Sequence, residues 1–375
     1  MSVGILTSGG DAPGMNAAVR AVFRSIKMEQ PRRAIAVFRG GFRGLAVDDS
    51  MSAHILERAQ TRGIIHRGGT FLGTGRLPEL AIPDDASEAE LDRRASYLDA
   101  AIATLARMKI DHLVIIGGDG SFRGARRIAE HHRARHPGQP FRIVGIPGTI
   151  DNDIHGTDYS IGFDTALNNV VDAIRKIRDT VESHKRAILL EVMGNSSGWL
   201  ALQSAIAGGA SVVAIPEIES TSDHDRIVRR LVQGARRDYR YFIIVFAEGV
   251  RMRDDGWARR LKERIETDAA LARELGAPME ARINAVGHVA RGGSPSALDN
   301  TLAGLLGSAA ADIVLSGQVG DGPALDGDVM VGCRGPRAHA LPLTAVIDAS
   351  PRLVSEESPL YRLSLRLTLR AEQPF

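Results

Sequence analysis

The sequence predicts an α/β fold with parallel sheets, and three features carry that prediction. Short apolar runs rich in β-branched residues alternate with longer segments of helical periodicity. The runs are continuously apolar rather than alternating, as strands covered on both faces must be. Glycines gather where the runs end, at the strand ends where open α/β sheets place their ligands.

In order, residues 3–6, 34–38, 112–116, 143–146, 187–192, 212–215, 242–246 and 285–288 read as buried strands. Residues 15–28, 96–108, 165–183, 223–235 and 296–316 carry the helical period. Parallel neighbours require a crossover, and these helices supply one. After Gly317 both periodicities weaken, while residues 361–369 (YRLSLRLTL) alternate apolar and polar and predict a half-buried strand. No repeat of fixed period or Pro- and Ser-rich linker marks a boundary.

The length of 375 residues, 44% hydrophobic and 25% charged, suits two packed domains. Lys and Arg number 47 against 45 Asp and Glu, so the one-signed excess of a non-specific nucleic-acid or membrane-surface binder is absent and neither partner is expected. A single cysteine, Cys333, excludes an intramolecular disulfide and fits a reducing compartment, where it reads as an inert thiol. The N-terminus lacks a basic region followed by an apolar stretch, and no run approaches the ~18 to 20 apolar residues that span a bilayer. The expectation is a cytoplasmic chain.

Four motifs carry chemistry. Gly4 to Asn16 (GILTSGGDAPGMN) is a strand entering a glycine turn and a helix, which aims backbone N–H groups at an anion; glycines there also simply turn a chain. Gly117-Gly118-Asp119-Gly120-Ser121 follows the run at 112–116 and opens a helix through Gly124. Its glycines admit a polyphosphate and its carboxylate can hold Mg²⁺, although Asp in a glycine-rich turn is common. This loop resembles the nucleotide loop shared by phosphofructokinases, NAD kinases and diacylglycerol-type lipid kinases. In Pro147 to Asp153 (PGTIDND), two carboxylates at i and i+2 suit a general base beside a metal-facing acid, and equally suit an Asx-rich turn. Arg76, Arg186, Arg282 and Arg291, with His288 near the last, stand in loops or beside them, where guanidinium groups pair well with phosphate and surface arginines are also usual.

Taken together and in this order, residues 4–16, 68–76, 117–121, 147–153, 191–198, 205–217 and 287–295 resemble the 6-phosphofructokinase family over residues 1 to 320. PGTIDND and GHVARGGSP after GGDGS separate it from lipid and NAD kinases. The resemblance implies two Rossmann-like domains with mainly parallel sheets and helices on both faces, and an active site in the cleft between them. Residues 1–162, completed by a segment returning near 290–340, would bind nucleotide, and 163–289 the sugar phosphate; 320–375 is left without a role. It implies transfer of the γ-phosphoryl of ATP, a co-substrate, to the 1-hydroxyl of fructose 6-phosphate with Mg²⁺. Gly9, Arg76, Leu77, Gly118, Asp119, Gly120, Ser121 and Gly124 would contact the nucleotide, and Asp119 and Asp153 the metal. Asp151 would be the base, with Thr149 and Arg76 beside the transferring group. Thr149, Ile150, Asp151, Met193, Gly194, Asn195, Glu248, His288 and Arg291 would form the sugar's set. Arg186 and Arg282 would reach a neighbouring subunit of a homo-oligomer, dimer or tetramer, with shared sites.

Pyrophosphate-dependent relatives usually carry Asp where Gly120 stands and Lys where Gly148 stands, so the two glycines imply ATP. Departures are present as well. Asn195 replaces the arginine of the usual MGR, which removes a charge worth about 1 to 3 kcal/mol in the transition state. Ser211 and Tyr239 depart from the effector-site pattern of bacterial members, which Arg20, Arg24 and Arg178 match. The competing expectations are a relative using pyrophosphate or sedoheptulose 7-phosphate, and a regulatory homologue weakened in catalysis.

Overall fold

The computed structural model describes residues 1–46, 52–75 and 77–369. Its strands are β1 (Ser2–Thr7), β2 (Ile35–Phe38), β3 (Ala53–Ile55), β4 (Ile110–Gly117), β5 (Arg142–Pro147), β6 (Ala187–Val192), β7 (Val212–Ala214), β8 (Phe242–Ala247), β9 (Ala281–Ala285), β10 (Val329–Arg334) and β11 (Arg337–Pro342). The chain forms two compact units. Unit 1 comprises Met1–Ile150, Ile154–Asp164 and Arg291–Pro351; unit 2 comprises Asp151–Asp153, Thr165–Ala290 and 352–369.

Unit 1 holds a seven-stranded sheet in the order β11-β10-β5-β4-β1-β2-β3. Its five central strands are parallel, with β3 antiparallel to β2 at one edge and β11 antiparallel to β10 at the other. Val3, Ile5, Leu6, Leu113, Val114 and Ile115 are fully buried, which explains the continuous apolar runs. On one face Phe38, Phe42, Phe122 and Leu343 form a common core. Helices Met15–Glu29 and Ala297–Ser316 pack together at short range: a Cβ at Gly307 would lie 2.7 Å from the Cβ of Ala21, so only glycine fits there. Helix Ala297–Ser316 is long and apolar enough to cross a membrane, which the sequence reading had found nowhere. Ten of its residues are buried within the protein, the ordinary reason for such apolarity in a core helix. Helix Glu88–Arg107 begins before its periodic stretch, at a capping box in which Ser87 and Glu90 satisfy each other's backbone N–H groups.

Unit 2 holds a parallel four-stranded sheet, β7-β8-β6-β9. Leu189, Ile244, Phe246, Trp257 and Leu261 share its core. Helix His224–Arg236 starts at Asp223, whose side chain accepts the N–H of Arg226. The fourth strand lies at 281–285 rather than at the predicted 285–288. It is an edge strand with side chains exposed from Arg282 to Ala285, so no apolar run betrays it.

Beyond Gly317 the weak periodicity concealed β10, β11 and the helices Leu343–Ala349 and Pro359–Leu367. Residues 361–369 are therefore helical through Leu367, not a strand. Pro359 sits in the first helical turn after Ser358, and Tyr361, Ser364 and Thr368 form one buried face at i, i+3 and i+7. The buried hydroxyls of Ser364 and Thr368 donate to carbonyls one turn earlier, which lets polar residues line that face.

Candidate active site

In unit 1 two glycine loops lie side by side at the carboxyl ends of β1 and β4. Gly9 has φ +89°, and a Cβ added to it would stand 3.2 Å from the Oγ of Ser121. A Cβ at Gly117 would fall 2.6 Å from the carbonyl oxygen of Ser8. Glycine is thus required for the loops to approach. The hydroxyl of Thr74 donates to the carbonyl of Gly9 at 2.6 Å and ties a third segment to them. Arg291 belongs to unit 1, where its Nη1 donates to the carbonyl of Asp11 at 2.9 Å.

Gly118 precedes helix Asp119–Arg135, whose first N–H groups lack intrahelical partners and present a positive end. Around Gly120 a Cβ would meet nothing within 4 Å. Asp119 pairs through Oδ2 with the Nε of Arg123 at 2.8 Å, while its Oδ1 is buried without a hydrogen-bond partner among the described residues. A buried carboxylate oxygen left unmatched fits a cation ligand. Other predicted contacts stand in packing positions: Gly124 faces Phe42 and Leu80, Leu77 belongs to the core, and Ile150 is fully buried. Thr149 is buried, and its Cβ lies 3.6 Å from the Cβ position of Gly118. Arg76 lies outside the described residues.

In unit 2 the loop after β6 is organised by Glu248, which opens helix Glu248–Arg253 behind β8. Its Oε1 accepts the N–H of Gly194 at 3.0 Å and of Asn195 at 2.6 Å. Gly194 has φ +146° and Asn195 φ +52°, and the loop is held in these left-handed conformations by that carboxylate together with the Ser197 N–H, which donates to the carbonyl of Gly194 at 2.9 Å. Met193 is half-buried beside it. Asp151, Asn152 and Asp153 belong to this unit, and Ser197 Oγ donates to the carbonyl of Asp151 at 3.0 Å. Glu280 holds Arg186 through Oε2 and Arg282 through Oε1, so the two arginines share one carboxylate. His288 is exposed in a short 3₁₀ turn.

Residues that sequence reasoning missed are structural partners of these. Glu217 accepts the N–H groups of Gly198 and Val354 on one oxygen, at 2.7 and 3.2 Å. Burial pushes its carboxyl above the usual range, against the pull of those N–H groups and of Arg253. Arg123, Ser197, Glu280 and Arg352 were likewise not singled out, although Ser197 lies within the segment 191–198 and Arg123 within the helix that GGDGS opens.

The family profile described as Phosphofructokinase matches residues 2–314. The chain belongs to the phosphofructokinase family. It is 40% identical over 367 residues to the ATP-dependent 6-phosphofructokinase of Bacillus pumilus, covering 98% of this chain and 99% of that one. Against the ATP-dependent 6-phosphofructokinase of Bacillus subtilis the identity is 43% over 318 residues, 85% of this chain and 87% of the relative. Among solved structures, phosphofructokinase from Saccharomyces cerevisiae superposes with a TM-score of 0.80 at 30% identity. That match covers 98% of this chain and spans half the length of the yeast one. A pyrophosphate-dependent phosphofructokinase from Marinobacter aquaeolei, at 21% identity, TM-score 0.74 and coverage of 100% and 94%, shares the fold.

Proposed function

We propose that this member of the phosphofructokinase family moves the γ-phosphoryl of ATP to the 1-hydroxyl of fructose 6-phosphate, giving fructose 1,6-bisphosphate and ADP. The observation that carries the choice of donor is the open space around Gly120, at the N-terminus of helix Asp119–Arg135. An α-phosphate fits where an aspartate would fill and repel it. The paired loops around Gly9 and Gly118 supply N–H groups for the polyphosphate, with Ser121 beside them. Arg76 is assigned to the phosphates on its place in the sequence alone.

Asp151 is the base. It takes the proton of the acceptor hydroxyl as that oxygen attacks the γ-phosphorus, and Thr149 lies two residues before it in the same loop. Asp119 and Asp153 are the residues that would hold Mg²⁺, for which the unmatched Oδ1 of Asp119 is suited. The chemistry a bound Mg²⁺ would supply there is neutralisation of charge on the phosphate oxygens. Met193, Gly194, Asn195 and Glu248 form the sugar's loop, Glu248 accepting from hydroxyls with the carboxylate capacity its N–H contacts leave over. His288 and Arg291 bind the 6-phosphate. Arg186 and Arg282, the latter exposed on edge strand β9, serve a neighbouring copy in a cytoplasmic homo-oligomer with shared sites.

The test is an initial-rate assay with fructose 6-phosphate against ATP and pyrophosphate in parallel, with and without Mg²⁺. Turnover with ATP that requires the metal is expected. Faster turnover with pyrophosphate, or none with either donor, would replace this reading.

A further inference from the structure

Three consecutive carbonyl groups of the loop that carries the base are held by two residues. Ser197 Oγ donates to the carbonyl of Asp151 at 3.0 Å. Arg352 donates from Nη2 to the carbonyl of Asn152 at 3.0 Å, and from its backbone N–H to the carbonyl of Asp153 at 2.5 Å. Asn152 is 2% exposed and left-handed at φ +52°, a region that few residues other than glycine adopt and that asparagine tolerates. Without such contacts the loop would relax, and the direction of the neighbouring Asp151 side chain would relax with it.

Arg352 is itself fixed. Its carbonyl accepts the indole N–H of Trp199 at 2.9 Å, and its guanidinium lies over that ring at 5.3 Å from the centroid. Two residues on, Val354 is tied to Glu217, which also caps the entry to helix Trp199–Gly208 at Gly198. The arginine therefore arrives with its rotamer already set, so little ordering is left when it meets the loop.

We propose that Arg352 is a positioning residue for phosphoryl transfer, holding the backbone of residues 151–153 so that the carboxylate of Asp151 stays aligned for proton transfer. The proposal rests on the reading of Asp151 as the base. Arg352 acts on the reaction through that loop. A donor to the carbonyl of Asn152 is the property that matters, so lysine can replace it in part whereas methionine cannot.

The experiment compares kcat, both KM values and Tm for the full chain carrying Arg352→Met, Arg352→Lys, Asp151→Ser, and Arg352→Met combined with Asp151→Ser. Arg352→Met should lower kcat by about ten- to a hundredfold, the effect of misplacing a catalytic group by an ångström or less. Both KM values should stay within about twofold, because the lost alignment matters in the transition state. Arg352→Lys should recover most of the loss. In the Asp151→Ser background the arginine change should alter the residual rate by less than about twofold, since no base remains to be positioned. Wild-type kcat in Arg352→Met, or an equal fractional fall in the Asp151→Ser background, overturns the proposal. Wild-type turnover in Asp151→Ser alone overturns the base reading and the proposal with it, so the two failures are told apart. Should Arg352→Met not fold, Trp199→Phe keeps an aromatic ring, though a smaller one, but deletes the N–H that fixes Arg352; a fall in kcat of about threefold or more supports the proposal and an unchanged kcat overturns it.

Discussion

Glu248 accepts the backbone N–H of Asn195 at 2.6 Å, and this contact stabilises a residue in the left-handed region, at φ +52°. Asparagine tolerates that conformation better than most side chains. There is thus a local reason for the amide at a position where the resemblance implies arginine. Asn195→Arg is expected to hold or raise turnover with fructose 6-phosphate, because a guanidinium can neutralise developing phosphoryl charge. It should also lower Tm by about 1 to 2 °C, the shift expected for ~1 kcal/mol of backbone strain in a chain of 375 residues. Kinetics with fructose 6-phosphate and sedoheptulose 7-phosphate, beside a melting curve, check both parts. A clear loss of turnover in a folded variant would assign the 193–195 loop to a different acceptor.

The two glycines that imply ATP differ in their surroundings. A Cβ at Gly120 meets nothing within 4 Å, whereas one at Gly148 would lie 3.0 Å from Ile116 Cγ2 and 3.1 Å from Met15 Cε. Gly120→Asp should therefore keep its Tm and impair ATP use through repulsion at the α-phosphate. Gly148→Lys should lose about 1 to 3 kcal/mol by overpacking, whatever the donor. Melting curves and ATP kinetics on the single variants separate the two; unchanged ATP kinetics in Gly120→Asp would show that the nucleotide lies elsewhere.

Asp119 is half neutralised by Arg123, which is itself anchored by the carbonyls of Ile347 and Ser350. The pair is partly exposed, so its strength is at most about 1 kcal/mol. Arg123→Met should lower the Mg²⁺ concentration needed for half-maximal rate by up to about fivefold, by removing a competing cation. Asp119→Asn should raise it by about tenfold or more. Initial rates titrated with Mg²⁺ at fixed ATP measure both, and an unaltered requirement in Asp119→Asn would remove Asp119 from the metal site.

Legibility in the sequence followed burial. β1, β4, β5 and β8 are covered on both faces and announce themselves as apolar runs. The edge strand β9 was displaced because its outward side chains obey no pattern, and the helix Pro359–Leu367 was mistaken for a strand because its buried face is polar. The loops GGDGS and PGTIDND were found because their chemistry is contiguous along the chain. Arg352 was not, because it meets Asn152 across 200 residues and through a backbone carbonyl. A contact to main chain leaves no complementary residue type to recognise, and only the fold brings its two ends together.

Glu217, which holds Val354 two residues beyond Arg352, supplies a pH test. One of its oxygens takes the N–H groups of Gly198 and Val354, while Oε2 is buried with no hydrogen-bond partner among the described residues. Burial raises its pKa above the ordinary value of 4.5, with the N–H contacts and Arg253 opposing. A carboxyl whose pKa is higher in the folded state binds its proton more tightly there. The stability it contributes is fully present below the unfolded pKa and is lost as pH rises through the folded one. Glutamine has the same shape, keeps an acceptor for Gly198 and Val354 and never ionises. The difference in Tm between Glu217→Gln and the parent chain should therefore grow more positive from about pH 4.5 upward and level off once the parent carboxyl is fully charged. Melting curves from pH 4 to 8 measure it. A difference that stays flat would mean that the carboxyl titrates at its ordinary value, and one that turns negative would mean that the N–H groups favour the charged form more than burial opposes it.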